Sequence, residues 1–274
     1  MTEESGNKAP DEAGTGTPGA PRLNVLVTGG SGASGIAVAR ALHAAGHRVF
    51  TVGSDRARIE AAAEKAGDGV TGLVCDLSRL EDVRQLGKDV SAAAGTVDAV
   101  IHLVGGWRGA TGIADQTDED WDFLERGAIT TLRNVSRIFF DDIAASRYGR
   151  FAMVSSTAVA KPAAATASYV AAKAAAEAWT MAMADGFRRA NAASGKDTAS
   201  SAAAGNDTAG NTGGGEAAAV VLVVKALVDD EMRRNHPERK FPGATDVEDL
   251  ARAVVGLFDT PASDLNGGQL MLAP

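Results

Sequence analysis

The sequence predicts a doubly wound, three-layer α/β fold, with a roughly seven-stranded parallel sheet between two layers of helices. Three observations lead there. Short apolar runs alternate with stretches of helical apolar spacing along most of the chain. The first apolar run ends in a glycine-rich loop that passes directly into a helix. No linker divides the halves, so residues 22–274 read as one domain. Strands joined through helices need right-handed crossovers, which give a parallel sheet covered on both faces.

In chain order, residues 1–21 are rich in Gly, Pro, Thr and acids, and are expected to be a disordered tail. "LNVLVTGG" is the first strand, and "SGIAVARALHAAG" the first helix, closed by glycine. "HRVFTVG" is the second strand, followed by a helix over 55–66; "GVTGLVCDLS" and "RLEDVRQLGKDVSAAAG" repeat the unit. "VDAVIHLVGG" is the fourth strand, leading through a loop to a long helical stretch over 118–147. "RFAMVSST" is the fifth, with a helix over 167–190. "AAAVVLVVKAL" and "GGQLMLAP" supply the last two strands, separated by a helix over 246–258. Residues 191–216 have a low-complexity composition and read as an insertion tolerated at the surface. His43 and His47, at the end of the first helix, read as exposed.

Composition narrows the function. Of 274 residues, 45% are apolar and 23% charged, as in ordinary globular proteins. A net charge of −8 without any basic run argues against nucleic acid as a partner. The polar start does not read as a secretory signal, and the longest apolar run is interrupted by Lys225, so no membrane partner is expected. The single cysteine, Cys75, fits a reducing, cytoplasmic setting.

The loop "TGGSGASGIA" contains Gly30-x-Gly32-x-x-Gly35 between a strand and a helix, the Rossmann-type dinucleotide pattern. Glycines permit the turn and let a pyrophosphate approach backbone amides at the helix N-terminus. Eighteen residues past Gly35 stands Gly53, followed by Ser54, Asp55 and Arg56. Gly53 and Ser54 leave space for a 2′-phosphate and Arg56 can pair with it; Asp55 can instead bind a ribose if the strand runs on. Asp76 ends the third strand, where it can accept from an adenine amino group or cap the next helix.

Ser156 ends the fifth strand, at the edge where ligands bind doubly wound sheets. Thirteen residues later comes Tyr169, with Lys173 one helical turn beyond, so phenol and ammonium share a helix face turned toward that serine.

On the "TGGSGASG" loop, "CDL", "VGG" after the fourth strand, and Ser156 with Tyr169-x-x-x-Lys173, the chain resembles the short-chain dehydrogenase/reductase family from about residue 22 onward, outside 191–216. The resemblance implies an NAD(P)(H)-dependent oxidoreductase that moves a hydride between a nicotinamide and a carbonyl or secondary alcohol. Tyr169 would be the general acid or base, Lys173 the cation that lowers its pKa and binds the nicotinamide ribose, and Ser156 the group orienting the substrate oxygen. Ser155 takes that role if the strand is shifted by one residue. Thr28, Gly29, Gly30, Ser31, Gly32, Gly35, Ser54, Arg56, Asp76 and Gly105 would hold the cofactor together with Tyr169 and Lys173. NADP(H) is favoured over NAD(H), no metal is expected, and the two long helices would build a homodimer or homotetramer.

The match departs from the family in places. His102-Leu103-Val104-Gly105 stands where the family commonly has Asn-Asn-Ala-Gly, and His102 reads as structural. Ala128 replaces an asparagine that many members use to hold a proton-relay water, with Thr131 one turn on as a substitute. Lys225-Ala226 stands for Pro-Gly beside the nicotinamide, and Asp230 for a threonine that contacts cofactor. Ala128 and Lys225-Ala226 support a rival, a nucleotide-binding sensor or scaffold that has lost catalysis, while the intact Ser156, Tyr169 and Lys173 oppose it.

Overall fold

The computed structural model describes residues 21–203 and 216–272. The expected tail over 1–21 lies outside the described residues apart from Pro21. Among the described residues nine strands form: β1 Asn24–Thr28, β2 Arg48–Gly53, β3 Thr71–Val74, β4 Ala99–His102, β5 Arg150–Ser156, β6 Ala218–Val224, β7 Leu227–Val228, β8 Thr245–Asp246 and β9 Gly268–Met271. Seven of them make one sheet in the order β3-β2-β1-β4-β5-β6-β9, with every pairing parallel. This is the doubly wound arrangement expected, with its order reversing between β1 and β4.

The helices are α1 Ala33–Ala44, α2 Arg56–Ala66, α3 Leu80–Ala94, α4 Asp118–Glu125, α5 Thr131–Ala145, α6 Ala167–Ala203, α7 Asp230–Asn235, α8 Val247–Gly256 and α9 Ala262–Leu265. Strand alternation divides the apolar residues between two cores. On one face Leu26, Phe50, Phe151 and Val221 pack against Phe139 of α5 and Phe187 of α6. On the other Val25, Val27, Ala152 and Val220 pack against Val38 and Leu42 of α1 and Leu250 and Val254 of α8. At the far end of the sheet the buried Arg150 guanidinium donates to the carbonyls of Gly149, Glu216, Leu257 and Thr260 at 2.8 Å each. It fastens β5 to the segments entering β6 and leaving α8.

The structure departs from the sequence pattern at four places. The stretch expected as one helix over 118–147 is α4 and α5 joined by a π-helical turn over Arg126–Thr130. Helix α6 runs past 190 through Ala203; residues 204–215 of the expected insertion lie outside the described residues. Asn191 exchanges two hydrogen bonds with the backbone of Ala217, so the two flanks of that insertion lie side by side. Between β6 and α8 the small ladder β7–β8 and α7 add a lobe that periodicity did not signal. His47 is buried rather than exposed, its ring packed on Phe258 and its Nδ1 accepting from the Leu23 amide at 3.5 Å. Among the described residues no helix is long and apolar enough to cross a membrane.

Candidate active site

Two adjoining cavities open along the C-terminal ends of the strands, of about 530 and 560 Å³, sharing Ser34, Leu103, Val104 and Gly105. The first lies over the β1–α1 loop and the tips of β2 and β3. The second lies over β4, β5 and the segment after β6.

In the first cavity the glycines play unequal parts. Gly29 has φ +78, and a side chain there would meet the Leu103–Val104 backbone at 2.8–2.9 Å. A methyl on Gly30 would fall 1.7 Å from the Thr51 hydroxyl, and one on Gly35 would fall 2.5 Å from the Gly30 Cα. Gly32, by contrast, would meet nothing nearer than 3.8 Å. The fold therefore demands Gly29, Gly30 and Gly35, while the space at Gly32 belongs to the cavity. No side chain caps α1, and Gly32, Ala33, Ser34 and Gly35 line the cavity, so the unpaired first-turn amides are aimed at it. That cradle fits a phosphate group.

The other expected cofactor residues divide. Ser31, Ser54, Asp76 and Gly105 line the first cavity. Thr28 does not: its buried hydroxyl is bonded to His102 Nδ1 at 2.8 Å. Arg56 does not either. Asp55 caps α2 by accepting from the Arg58 amide at 2.8 Å, which turns Arg56 outward to pair with Glu60 and brings Arg58 to the cavity. Asp76 accepts from the Ser78 amide and hydroxyl at 3.0 and 2.7 Å, a local turn rather than a helix cap, since Arg79 precedes α3. Asp230 lies outside both cavities, paired with Arg233. Buried Cys75 lines the first cavity, its thiol pushed up to about 12 by desolvation.

At the second cavity α6 supplies Tyr169 and Lys173 to the wall, while Ser156 ends β5 just outside the lining. Lys173 is buried and its ammonium donates to the Val154 carbonyl at 2.8 Å. A side chain at Gly105 would lie 3.3 Å from that nitrogen, so glycine leaves the ammonium its room. Ser156 is buried at the strand end, and its hydroxyl oxygen accepts from the Ala158 amide at 3.2 Å. Burial pushes the Tyr169 phenol above its ordinary pKa, and a side-chain hydrogen bond from Ser156 pulls it partway back. Burial likewise lowers Lys173 to about 8, with Glu177 acting in the opposite sense. Ser155 lines the cavity wall but donates its hydroxyl to Glu177.

His102 is a connector. Thr131 donates to the Gly127 carbonyl at 2.7 Å, so its oxygen can only accept from His102 Nε2, 3.2 Å away. The other ring nitrogen must then accept from Thr28. Desolvation, then the charge of Lys173, pushes His102 down to about 3, so it is neutral. The chain Thr28–His102–Thr131–Gly127 ties the glycine-loop strand to the π-helical turn. It also occupies the hydroxyl that would have replaced the asparagine, while Ala128 is buried beside Tyr169, Leu124 and Ala172. Trp107, 64% exposed, hangs over the second cavity mouth with Lys225, Ala226 and Arg239 in its wall. Among the described residues no three His, Cys, Asp or Glu side chains gather to hold a metal ion.

Comparison with known proteins adds the following. The family model described as short chain dehydrogenase matches residues 23–193. Nodulation protein G of Rhizobium meliloti is 32% identical over 133 residues, 48% of this chain and 54% of the relative. The chain thus spans about half the length of the curated relatives it matches. A short chain oxidoreductase from Pseudomonas aeruginosa, described as containing an atypical catalytic center, superposes with a TM-score of 0.74 at 19% identity, covering 92% and 95% of the two chains. A gluconate 5-dehydrogenase from Burkholderia cenocepacia, in complex with NADP and tartrate, gives 0.72 at 19% identity over 92% and 93%.

Proposed function

The chain belongs to the short-chain dehydrogenase family, and from that premise we propose that it is an NADPH-dependent reductase of carbonyl compounds, cytoplasmic and assembled as a homodimer or homotetramer. The observation that carries this reading is Tyr169 and Lys173 in one cavity wall, with Ser156 at the adjacent end of β5, adjoining a glycine cradle lined by helix amides.

Bound at the cradle, the cofactor would supply the hydride. The pyrophosphate is matched by the α1 amides and the space over Gly32; the ribose by Lys173, the adenine by Asp76. Arg58, with Ser31 and Ser54, supports the choice of NADPH by offering a guanidinium and two hydroxyls to a 2′-phosphate. Tyr169 donates its proton to the substrate oxygen, and Ser156 fixes that oxygen with a hydrogen bond. The raised phenol pKa supports the reducing direction, because the acid form is the one populated near neutrality. The segments available for assembly are α4–α5 and α6, the latter rich in small residues.

Nicotinamide fluorescence titration tests the cofactor assignment. NADPH should bind at least tenfold more tightly than NADH, and Arg58→Ala should remove most of that difference while leaving NADH unchanged. Failure of both nucleotides to bind would overturn the enzyme reading.

The second cavity also supports a substrate class. Its wall carries three cations, Lys173, Lys225 and Arg239, and no carboxylate, in a chain of net charge −8. A ketone bearing a carboxylate should therefore be reduced with a KM about tenfold below that of its methyl ester, and Arg239→Glu should invert the order. Equal KM values would discard the anionic substrate.

A further inference from the structure

Helix α6 carries a third chemical group in line with the first two. Tyr169, Lys173 and Glu177 are spaced one turn apart, in a stretch whose neighbours on either side are mostly alanine. Two consecutive residues of β5 each engage one member of this row: Val154 accepts from Lys173, and Ser155 donates to Glu177 Oε1. Ser156, the next residue, opposes the effect of burial on the Tyr169 phenol. The other Glu177 oxygen accepts from the Gln269 amide of β9 at 3.0 Å. The carboxylate is thus held at both oxygens by two strands and cannot swing away from the helix.

Its neighbourhood makes the charge matter. The titratable groups that share the helix or the cavity with Lys173 are Tyr169 and Glu177 on α6, and Lys225 and Arg239 in the cavity wall after β6, with neutral His102 on β4 within reach of its charge. Among them Glu177 is the single anion, and its charge is the one that acts against burial on Lys173. We propose that Glu177 is a positioning residue that keeps Lys173 in its charged form beside Tyr169. This rests on the reductase reading above, and it assigns the carboxylate a part that the helix pattern alone does not show. The opposing influences of burial and Glu177 on the lysine run in the required directions.

The sign follows from these contacts. Lys173 is charged below its midpoint, Glu177 raises that midpoint, and Glu177→Gln keeps the shape and the Ser155 contact while removing the charge. In E177Q the midpoint should fall by about one pH unit. The alkaline decline of kcat/KM for carbonyl reduction should begin correspondingly earlier, giving about fivefold less activity at pH 8 and near-parental activity at pH 6. A merely structural role would lower the whole profile without moving its limb.

Protein labelled with ε-13C-lysine reads the same midpoint without turnover, the Lys173 resonance being identified by its loss in Lys173→Met. A Lys173 midpoint unmoved in folded E177Q overturns the proposal, whatever the activity of the parent. A midpoint that falls supports the pairing; if the parent then reduces no carbonyl compound with NADPH, the reductase reading alone is overturned.

Discussion

Tyr169→Phe is expected to lower kcat for carbonyl reduction by about a thousandfold or more, while NADPH affinity stays within a factor of about three. Phenylalanine keeps the ring that packs with Leu124, Ala128 and Ala172, so the α4–α6 contact survives. What disappears is the one proton donor that Ser156 and Lys173 surround. The rate should be lost uniformly from pH 6 to 8, because the phenol, raised by burial, is protonated throughout that range in the parent. Steady-state kinetics beside fluorescence titration of NADPH provide the check. A variant within tenfold of the parent would remove Tyr169 from the chemistry. A parent that binds NADPH and reduces nothing would favour the sensor reading, for which Ala128 and Lys225-Ala226 are the sequence grounds.

The lines between readable and unreadable features follow the range of the interactions. The Tyr169–Lys173 face and the strand-end Ser156 are short-range patterns, set by the helical and strand periods, and they lie where those periods put them. The seven parallel strands were likewise visible, because each strand–helix unit carries its own apolar pattern. Arg56 and Arg58 differ by half a helical turn, and which one faces the cavity depends on where α2 begins. Asp55 decides that by capping Arg58, a local bond that composition does not rank. Features that need two distant segments were hidden. The Thr28–His102–Thr131 chain exists only because β1 pairs with β4 and α5 packs over both. The anchoring of Glu177 needs β5 and β9 on either side of β6. Neither has a signature along the chain, since the partners are chosen by the sheet order.

The glycine loop separates what the fold requires from what the ligand requires, and two substitutions tell them apart. Gly35→Ala should destabilise the protein by about 3–4 kcal/mol and lower Tm by about 10 °C, since its methyl meets the Gly30 Cα at 2.5 Å and the Gly29 carbonyl at 2.6 Å. Both are backbone atoms, so no rotamer change relieves the contact; α1 must move off the loop, and cofactor binding is lost with the cradle. Gly32→Ala meets no protein atom within 3.8 Å, its extended backbone at φ −91 suits alanine, and the Ile36 amide still reaches its carbonyl at 3.0 Å. It should cost no more than about 1 kcal/mol, the loss of a favourable N-cap residue. Its methyl, however, stands in the cavity where a pyrophosphate must approach the α1 amides, so NADPH affinity should fall at least tenfold. Thermal melting and fluorescence titration of both variants decide the matter. Equal melting losses would mean that Gly32 serves the fold as Gly35 does, and unchanged NADPH affinity in Gly32→Ala would mean that the pyrophosphate does not lie over α1.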